Sequence, residues 1–147
     1  MGQQQLLLVI LVTIIVGIAT VVAINTFGAA SESANMDAVN NDLASIASSA
    51  QGYYMKPGML GGGGKSFTGI TFNDMAFGGT ITSGGDIAYN ENGTYQLSAK
   101  GDSSFTVTAD PSSGDGYTEG STGAASNSFA VDVRKDGIDR DQDGTVD

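Results

Sequence analysis

The chain of 147 residues contains no cysteine and no histidine, and only six of its residues are basic. Without cysteine it has no disulfide bond, no thiolate metal site and no cysteine nucleophile. Without histidine it lacks the commonest general base and the commonest transition-metal ligand. Sixteen acidic residues give a net charge of −10, which disfavours binding to nucleic acids and to anionic membrane surfaces. The composition therefore predicts a protein that is not an enzyme and has no nucleic-acid partner.

Charged side chains are also absent from the start of the chain, where the first one is Glu32. Leu6–Ile24, called the apolar run below, has nineteen residues and is broken only by Thr13, Gly17 and Thr20. A helix of this length covers roughly 28 Å at about 1.5 Å per residue, close to the ~30 Å hydrocarbon core of a bilayer. A segment that is apolar on every face must lie in lipid or pack against copies of itself.

The residues before the apolar run contain no lysine or arginine, whereas a secretory signal peptide begins with a basic segment. The run also continues into an amphipathic pattern without a cleavage site between them. We therefore expect a basic leader to have been removed before Met1. The alternative is a signal anchor that begins at its own initiator methionine.

The residues after Ile24 show helical spacing. Their larger apolar side chains recur at intervals of three or four residues, which places them on one stripe of a helix, with polar side chains on the other faces. We expect the helix to reach about Tyr54 and to end between Gln51 and Pro57, because proline disfavours helical angles in the residue before it. The stripe consists of Met36, Val39, Leu43, Ile46, Ala50 and Tyr53.

After residue 70 the pattern changes to an alternation of apolar and polar residues, which is typical of β-strands. Segments 90–93 and 100–103 have the composition of hairpin turns. An antiparallel sheet with one apolar face must bury that face against another element, and we expect the helical stripe to pack on it. The predicted fold class is therefore α+β, with a long N-terminal helix, hydrophobic and then amphipathic, packed on a small antiparallel sheet. The predicted strands are 79–83, 86–90, 94–99, 104–109 and 128–133, and 111–127 is predicted to be an exposed loop.

The sequence GGGGKS at residues 61–66 has the composition of a phosphate-binding loop. That motif requires a glycine at the position held by Met59, and it follows a strand, whereas a helix is predicted here. We therefore predict a flexible connector instead of a nucleotide site.

The N-terminal arrangement resembles that of the type IV pilins. In that family a leader is cleaved before a Met or Phe, a polar residue stands at the fifth position, and a long apolar segment continues into an amphipathic helix. Met1, Gln5, the apolar run and the helix after it match this arrangement over residues 1–54. Two positions depart from it, since Gln5 stands where the family usually has Glu and Val22 where it often has Pro.

The resemblance implies a domain organisation and an assembly mechanism. Residues 1–27 would anchor the chain in the inner or cytoplasmic membrane and later form the filament core, 28–54 would continue that helix, and 55–147 would form the β-sheet head. In the family, the fifth residue pairs with the terminal amine of a neighbouring subunit, a role that Gln5 would fill without a charge. The implied partners are other copies of the chain, a prepilin peptidase and an assembly machinery. The residues expected to carry assembly are Met1, Gln5, Leu6, Leu7, Leu8, Ile10, Leu11, Ile14, Ile15, Gly17, Ile18, Val21, Val22 and Ile24.

The C-terminal segment contains a candidate calcium loop. Three aspartates at alternate positions are followed by Gly144, the D-x-D-x-D-G spacing in which side-chain oxygens surround Ca²⁺ and glycine permits the sharp turn. The bidentate Glu of an EF-hand is missing, so this would be an isolated loop, and the alternative is a solvated acidic tail. The predicted ligands are Asp139, Asp141, Asp143, Thr145 and Asp147.

Together these patterns predict a structural subunit of an extracellular, type IV pilus-like filament at the cell surface, inserted in the membrane before assembly. One alternative is a pseudopilin of a secretion system, which would form only a short fibre. The other is a monomeric, membrane-anchored calcium-binding or adhesive module whose apolar segment stays in lipid. The unbroken passage from the apolar run into the amphipathic helix favours a filament, because an anchored module usually has a flexible linker after its membrane span.

Overall fold

The computed structural model of the protein describes residues 2–140 and begins with one long helix. Helix α1 spans Gly2–Met55 and continues without a break through Gly17 and Gly28. Contacts within the chain divide it into two units, Met1–Ala34 and Asn35–Asp147. In the first unit every described residue is exposed, whereas the second unit contains the hydrophobic core.

Six strands form a single antiparallel sheet in which each strand pairs with the next one along the chain. The predicted α+β class is therefore confirmed. The five predicted strands and both predicted hairpin turns are found, whereas the sixth strand was not predicted. The strands are β1 (Thr80–Ile81), β2 (Ile87–Tyr89), β3 (Gly93–Ser98), β4 (Ser104–Pro111), β5 (Phe129–Arg134) and β6 (Gly137–Asp139).

The core lies between α1 and one face of the sheet, called the inner face below. Four residues of the predicted stripe are buried, and Met36 and Tyr53 at its ends are half-buried, so the prediction that this stripe covers the sheet is confirmed. The inner-face side chains alternate along the strands, as the period of two requires. The buried residues of α1 are Val39, Leu43, Ile46, Ala47 and Ala50, and those of the inner face include Ala88, Tyr95, Leu97, Phe105, Val107, Ala109, Val131 and Val133.

The segment between α1 and β1 closes one side of this core. It contains two short 3-10 turns, Gly58–Leu60 and Phe72–Asp74. The Phe67 ring is fully buried, with its centroid 4.9 Å from that of Tyr54 and 5.1 Å from that of Phe105. This segment is therefore an ordered part of the head.

The glycine-rich stretch within that segment caps the C-terminus of α1, so the prediction of a flexible connector is wrong. The last carbonyls of a helix have no partner inside it. Here the amide of Gly63 donates to the Tyr53 carbonyl over 2.8 Å, and the amide of Lys65 donates to the Tyr54 carbonyl over 2.9 Å. The amides of Gly62 and Gly64 donate to the carbonyls of Pro57 and Lys56. These amides are occupied by the chain itself and are not available to a phosphate group.

The segment between β4 and β5 has no strand, as predicted, but it is not simply an exposed loop. It folds over the outer face of the sheet, where Thr94 and Asp110 are fully buried. The carboxylate of Asp110 accepts the amides of Ala124 and Ala125 over 3.1 and 3.3 Å. The Thr94 hydroxyl accepts the amide of Gly120 over 3.2 Å. Of the residues that these bonds hold, Gly120 is half-buried and Ala125 is buried, so the prediction of an exposed loop is wrong at those positions, whereas Ala124 is exposed as predicted.

Candidate functional site

The most extensive exposed apolar surface in the described chain is the apolar run of α1. All fourteen of its leucine, isoleucine and valine side chains are between 49 and 67 % exposed. Burying one such side chain is worth about 1.5–3 kcal/mol, so leaving all of them in water would cost on the order of 20–40 kcal/mol. This surface must therefore be covered, and by length and composition α1 is able to cross a membrane. The predicted assembly residues Leu6 to Ile24 lie on it and Gln5 lies directly before it in α1, whereas Met1 lies outside the described residues.

The threonine hydroxyls of the run form their hydrogen bonds within α1 and do not need a partner from another molecule. The hydroxyl groups of Thr13 and Thr20 in the run, and of Thr26 just beyond it, each donate to the backbone carbonyl four residues earlier, over 2.7–2.9 Å. A Cβ built at Gly17 would meet no atom within 4 Å, so the backbone there is open to close approach by a neighbouring helix. The surface therefore suits both lipid chains and other apolar helices.

A second cluster lies in the head, where one carboxylate oxygen joins α1 to the turn between β2 and β3. Oδ2 of Asp42 accepts hydrogen bonds from Nδ2 of Asn90 over 2.8 Å, from Nδ2 of Asn92 over 2.8 Å and from the hydroxyl of Tyr95 over 2.7 Å. Burial, followed by the hydrogen bond to Asp42, raises the pKa of Tyr95. The cluster was not predicted, because a helical pattern does not show which strand and turn residues will lie opposite Asp42.

Asp42 also borders a groove of about 590 Å³ on the head surface. The groove is open, and its lining includes three carboxylates but no basic side chain. An anionic ligand would therefore be repelled. The lining residues are Asp42, Gly78, Gly79, Thr80, Tyr89, Asn90, Glu91, Asn92 and Glu119.

The candidate calcium loop lies almost wholly outside the described residues. Of its five predicted ligands only Asp139 is described, and it is fully buried at the end of β6. Its Oδ2 accepts hydrogen bonds from Nε of Arg134 over 3.3 Å and forms an ion pair with Nη2 over 3.2 Å. Residues 2–140 contain no group of three or more acidic side chains that would hold a metal ion. Asp141, Asp143, Thr145 and Asp147 lie beyond this range, so calcium binding stays a prediction.

Comparisons with known proteins do not assign the chain to a family. No protein-family model matches it, and no curated protein or solved structure is significantly similar to it. The argument for function therefore depends on the chain's own features.

Proposed function

We propose that this protein is the structural subunit of an extracellular, type IV pilus-like filament, and that the apolar runs of many copies pack together in the filament core. The observation that carries the proposal is the continuity of α1 from Gly2 to Met55. One helix contains the exposed apolar run and, from Val39 onwards, side chains buried in the core of the head. No linker separates the two parts, so a head is coupled directly to the helix that would enter the core.

The hydrophobic effect alone does not choose between a filament and a membrane. Lipid tails cover leucine and valine side chains as well as other helices do, and helix association in apolar surroundings depends on close packing instead. Gly17 and the internally bonded threonines are compatible with such packing. The direct coupling of the helix to the head, together with the resemblance to pilins, favours the filament. Neither the described residues nor the composition points to catalysis, and we propose a structural role.

The decisive experiment is electron microscopy of filaments sheared from the cells that make this protein. Because the chain has no cysteine, Ser83→Cys adds a single thiol at an exposed position, which maleimide-gold then labels. Label along the whole length of uniform filaments would support the major-subunit role. Sparse label on filaments of another protein would favour a pseudopilin. Label that stays with membranes and never enters a filament would favour the anchored module and overturn the proposal.

A matched pair of variants tests the role of the apolar run. Val16→Glu places a charge inside it, where an unpaired carboxylate is strongly disfavoured, whereas Ser33→Glu places the same charge on the exposed part of α1 beyond it. We expect filaments from Ser33→Glu and none from Val16→Glu. Equal filament yields from the two variants would contradict the proposed packing.

The calcium loop is proposed as a brace of the C-terminal end of the head. Extracellular calcium at millimolar concentration fills even weak loops of this type. We expect calcium to raise the melting temperature of the chelator-treated protein and expect Asp141→Asn with Asp143→Asn to abolish the shift. Asp115→Asn removes an exposed carboxylate elsewhere and should leave the shift intact. An unchanged melting temperature in the parent protein would contradict calcium binding.

A further inference from the structure

The chain contains a single Asn-Gly linkage, between Asn92 and Gly93, where the turn after β2 enters β3. In such a linkage the glycine nitrogen is able to attack the preceding side-chain carboxamide, because glycine has no side chain that hinders the approach. The reaction turns a neutral amide into a carboxylate. A Cβ at Gly93 would lie 2.4 Å from the carbonyl oxygen of Asp110. The glycine of this reactive linkage is therefore required by close packing.

The two nitrogen atoms that would react are each held by a hydrogen bond in the folded head. The nucleophile, the backbone nitrogen of Gly93, donates its proton to Oδ1 of Asn90 over 3.1 Å. The leaving group, Nδ2 of Asn92, donates to Oδ2 of Asp42 over 2.8 Å. The nucleophile and the carboxamide are thus directed to different partners, and attack at Cγ of Asn92 would break both bonds.

The backbone between these atoms is held as well. The carbonyl oxygen of Asn92 accepts Nδ2 of Asn35 over 2.8 Å and the amide of Ser112 over 2.8 Å. The amide of Asn92 donates to Oδ1 of Asn90 over 2.9 Å. Rotation about the Cα–C bond of Asn92 is needed to bring the Gly93 nitrogen onto Cγ, and these contacts oppose it. Local opening of the turn is therefore a prerequisite of the reaction.

The product would not fit the position that the Asn92 side chain occupies. The Oδ2 atom of Asp42 that binds it also accepts donors from Asn90 and Tyr95. An aspartate at position 92 would replace one donor by a second carboxylate, and like charges in contact repel each other. Among the described residues, no basic side chain lines the groove beside Asp42 and compensates this charge. A turn that has reacted would therefore not return to its contact with Asp42.

We propose that Asn92 is a deamidation site that the folded head holds closed, and that its reaction changes the turn in one direction only. The Gly93 nitrogen forms a bond to Cγ of Asn92, the bond from Cγ to Nδ2 breaks, and the Gly93 amide proton leaves with Nδ2 as ammonia. Water then opens the cyclic imide to aspartate or isoaspartate. The head gains one negative charge next to Asp42, and the turn loses a bond to α1. This chemistry belongs to the head of a single chain and does not depend on filament assembly.

The rate of deamidation in the folded protein tests the closed state. The full chain in detergent micelles would be incubated in mildly alkaline buffer, and the tryptic peptide 66–100 analysed by mass spectrometry for aspartate and isoaspartate at position 92. We expect Asp42→Ala to react about tenfold faster than the parent, the factor by which loss of one hydrogen bond to a charged group shifts an equilibrium. Asp37→Ala removes an exposed carboxylate from the same helix and should react at the parent rate. Equal rates for Asp42→Ala and the parent would overturn the proposal.

Two references separate local opening of the turn from a general loss of stability. Val131→Ala weakens the buried core in β5, away from the turn, and we expect it to leave the rate unchanged. In denaturant the parent and all variants should react equally, and faster than the folded parent, because the sequence around Asn92 is the same in each. A folded parent that reacts as fast as the denatured chain would show that the turn is not closed. A Val131→Ala rate as high as that of Asp42→Ala would show that only global unfolding exposes the linkage, and either result would overturn the proposal.

Variants that mimic the product test the one-way character of the reaction. Asn92→Asp and Asn92→Ala both remove the donor to Asp42, but only the first adds a charge. We expect hydrogen exchange in the peptide that contains the turn to be about fivefold faster in Asn92→Asp than in Asn92→Ala, as one contact between like charges near a protein surface would produce. Equal exchange in the two variants would show that the new carboxylate does not keep the turn open, and the one-way character would be overturned.

Discussion

Asp42 shows how one side chain can join two elements of the head. Its Oδ2 accepts three donors, two of them from the turn between β2 and β3 and one from the Tyr95 hydroxyl in β3. Hydrogen bonds to a charged group are worth more than neutral ones, and donors left without an acceptor lose part of their solvation as well. The position of this turn against α1 therefore depends on this carboxylate and on Asn35, whose Nδ2 donates to the Asn92 carbonyl over 2.8 Å.

Removal of that carboxylate is the first prediction. We expect Asp42→Ala to lower the free energy of unfolding by about 2–3 kcal/mol, because three donors lose one charged acceptor. Asp37→Ala removes an exposed carboxylate from the same helix, and we expect it to change stability by no more than about 0.5 kcal/mol. Denaturant unfolding of the full chain in detergent micelles would measure both. Equal losses in the two variants would contradict the role given to Asp42.

The same cluster predicts a loss of stability at alkaline pH. Burial and the hydrogen bond to Asp42 raise the pKa of Tyr95 above the ordinary tyrosine value of 10.0. An unfolded chain releases the proton of the Tyr95 hydroxyl near pH 10, while the folded chain keeps it. The contribution of this hydroxyl to the free energy of unfolding is therefore fully present below pH 10 and is lost as the pH rises further. The slope for one group reaches about 1.4 kcal/mol per pH unit.

Tyr95→Phe separates this effect from the other tyrosines. The variant is less stable at neutral pH because Asp42 loses one donor. It should nevertheless lose stability less steeply above pH 10 than the parent protein does. The test is to measure the free energy of unfolding of both proteins below and above pH 10. Parallel curves would contradict the assignment of the alkaline loss of stability to Tyr95.

At the scale of elements, periodicity predicted those parts of the fold whose side chains repeat regularly. The 3,4 spacing of Val39, Leu43 and Ile46 identified the buried face of α1, and alternation identified β3, β4 and β5. The sixth strand, Gly137–Asp139, contains only one apolar side chain, so no alternation was visible there. Its pairing with β5 depends on the tight turn after Arg134, which local composition did not distinguish from a tail.

The glycine-rich stretch was mispredicted because its order comes from outside its own sequence. Glycine and serine indicate flexibility when a chain has no partner. Here the open carbonyls at the end of α1 accept the glycine amides, and only the folded helix brings those carbonyls together. The features of the candidate functional site likewise differ in whether the local sequence reveals them. The apolar run is contiguous and was predicted, whereas the Asp42 cluster arises from tertiary placement.

The capping role predicts unequal effects of alanine along this stretch. A Cβ at Gly62 would lie 2.2 Å from the carbonyl oxygen of Lys56, whereas a Cβ at Gly58 would meet nothing within 4 Å. We expect Gly62→Ala to lower stability by about 1–3 kcal/mol, because the backbone must move to relieve the overlap. Gly58→Ala should be neutral or slightly stabilising, since it restricts the unfolded chain. Similar effects from both variants would contradict a fixed cap, and thermal unfolding in detergent would compare them.

At the scale of the whole molecule, apolar surface and charge are separated along the chain. Residues 1–31 carry no charged side chain, and all sixteen acidic residues lie after them. In the proposed filament the uncharged part is internal, and the acidic heads face water. Neighbouring filaments would therefore present surfaces of the same sign to one another.

This separation predicts that lateral association of filaments depends on salt. Repulsion between like-charged surfaces extends over about 30 Å at 10 mM ionic strength but only about 3 Å at 1 M. We expect purified filaments to stay dispersed at low salt and to form bundles that sediment at low speed as sodium chloride is added. A neutral solute such as sucrose is the control, because it changes osmolarity without screening charge. Neutralising two exposed carboxylates with Asp115→Asn and Glu119→Gln should move bundling to lower salt. Sedimentation that is independent of both salt and these substitutions would mean that the acidic heads do not form the outer surface, and the proposed arrangement of the filament would have to be abandoned.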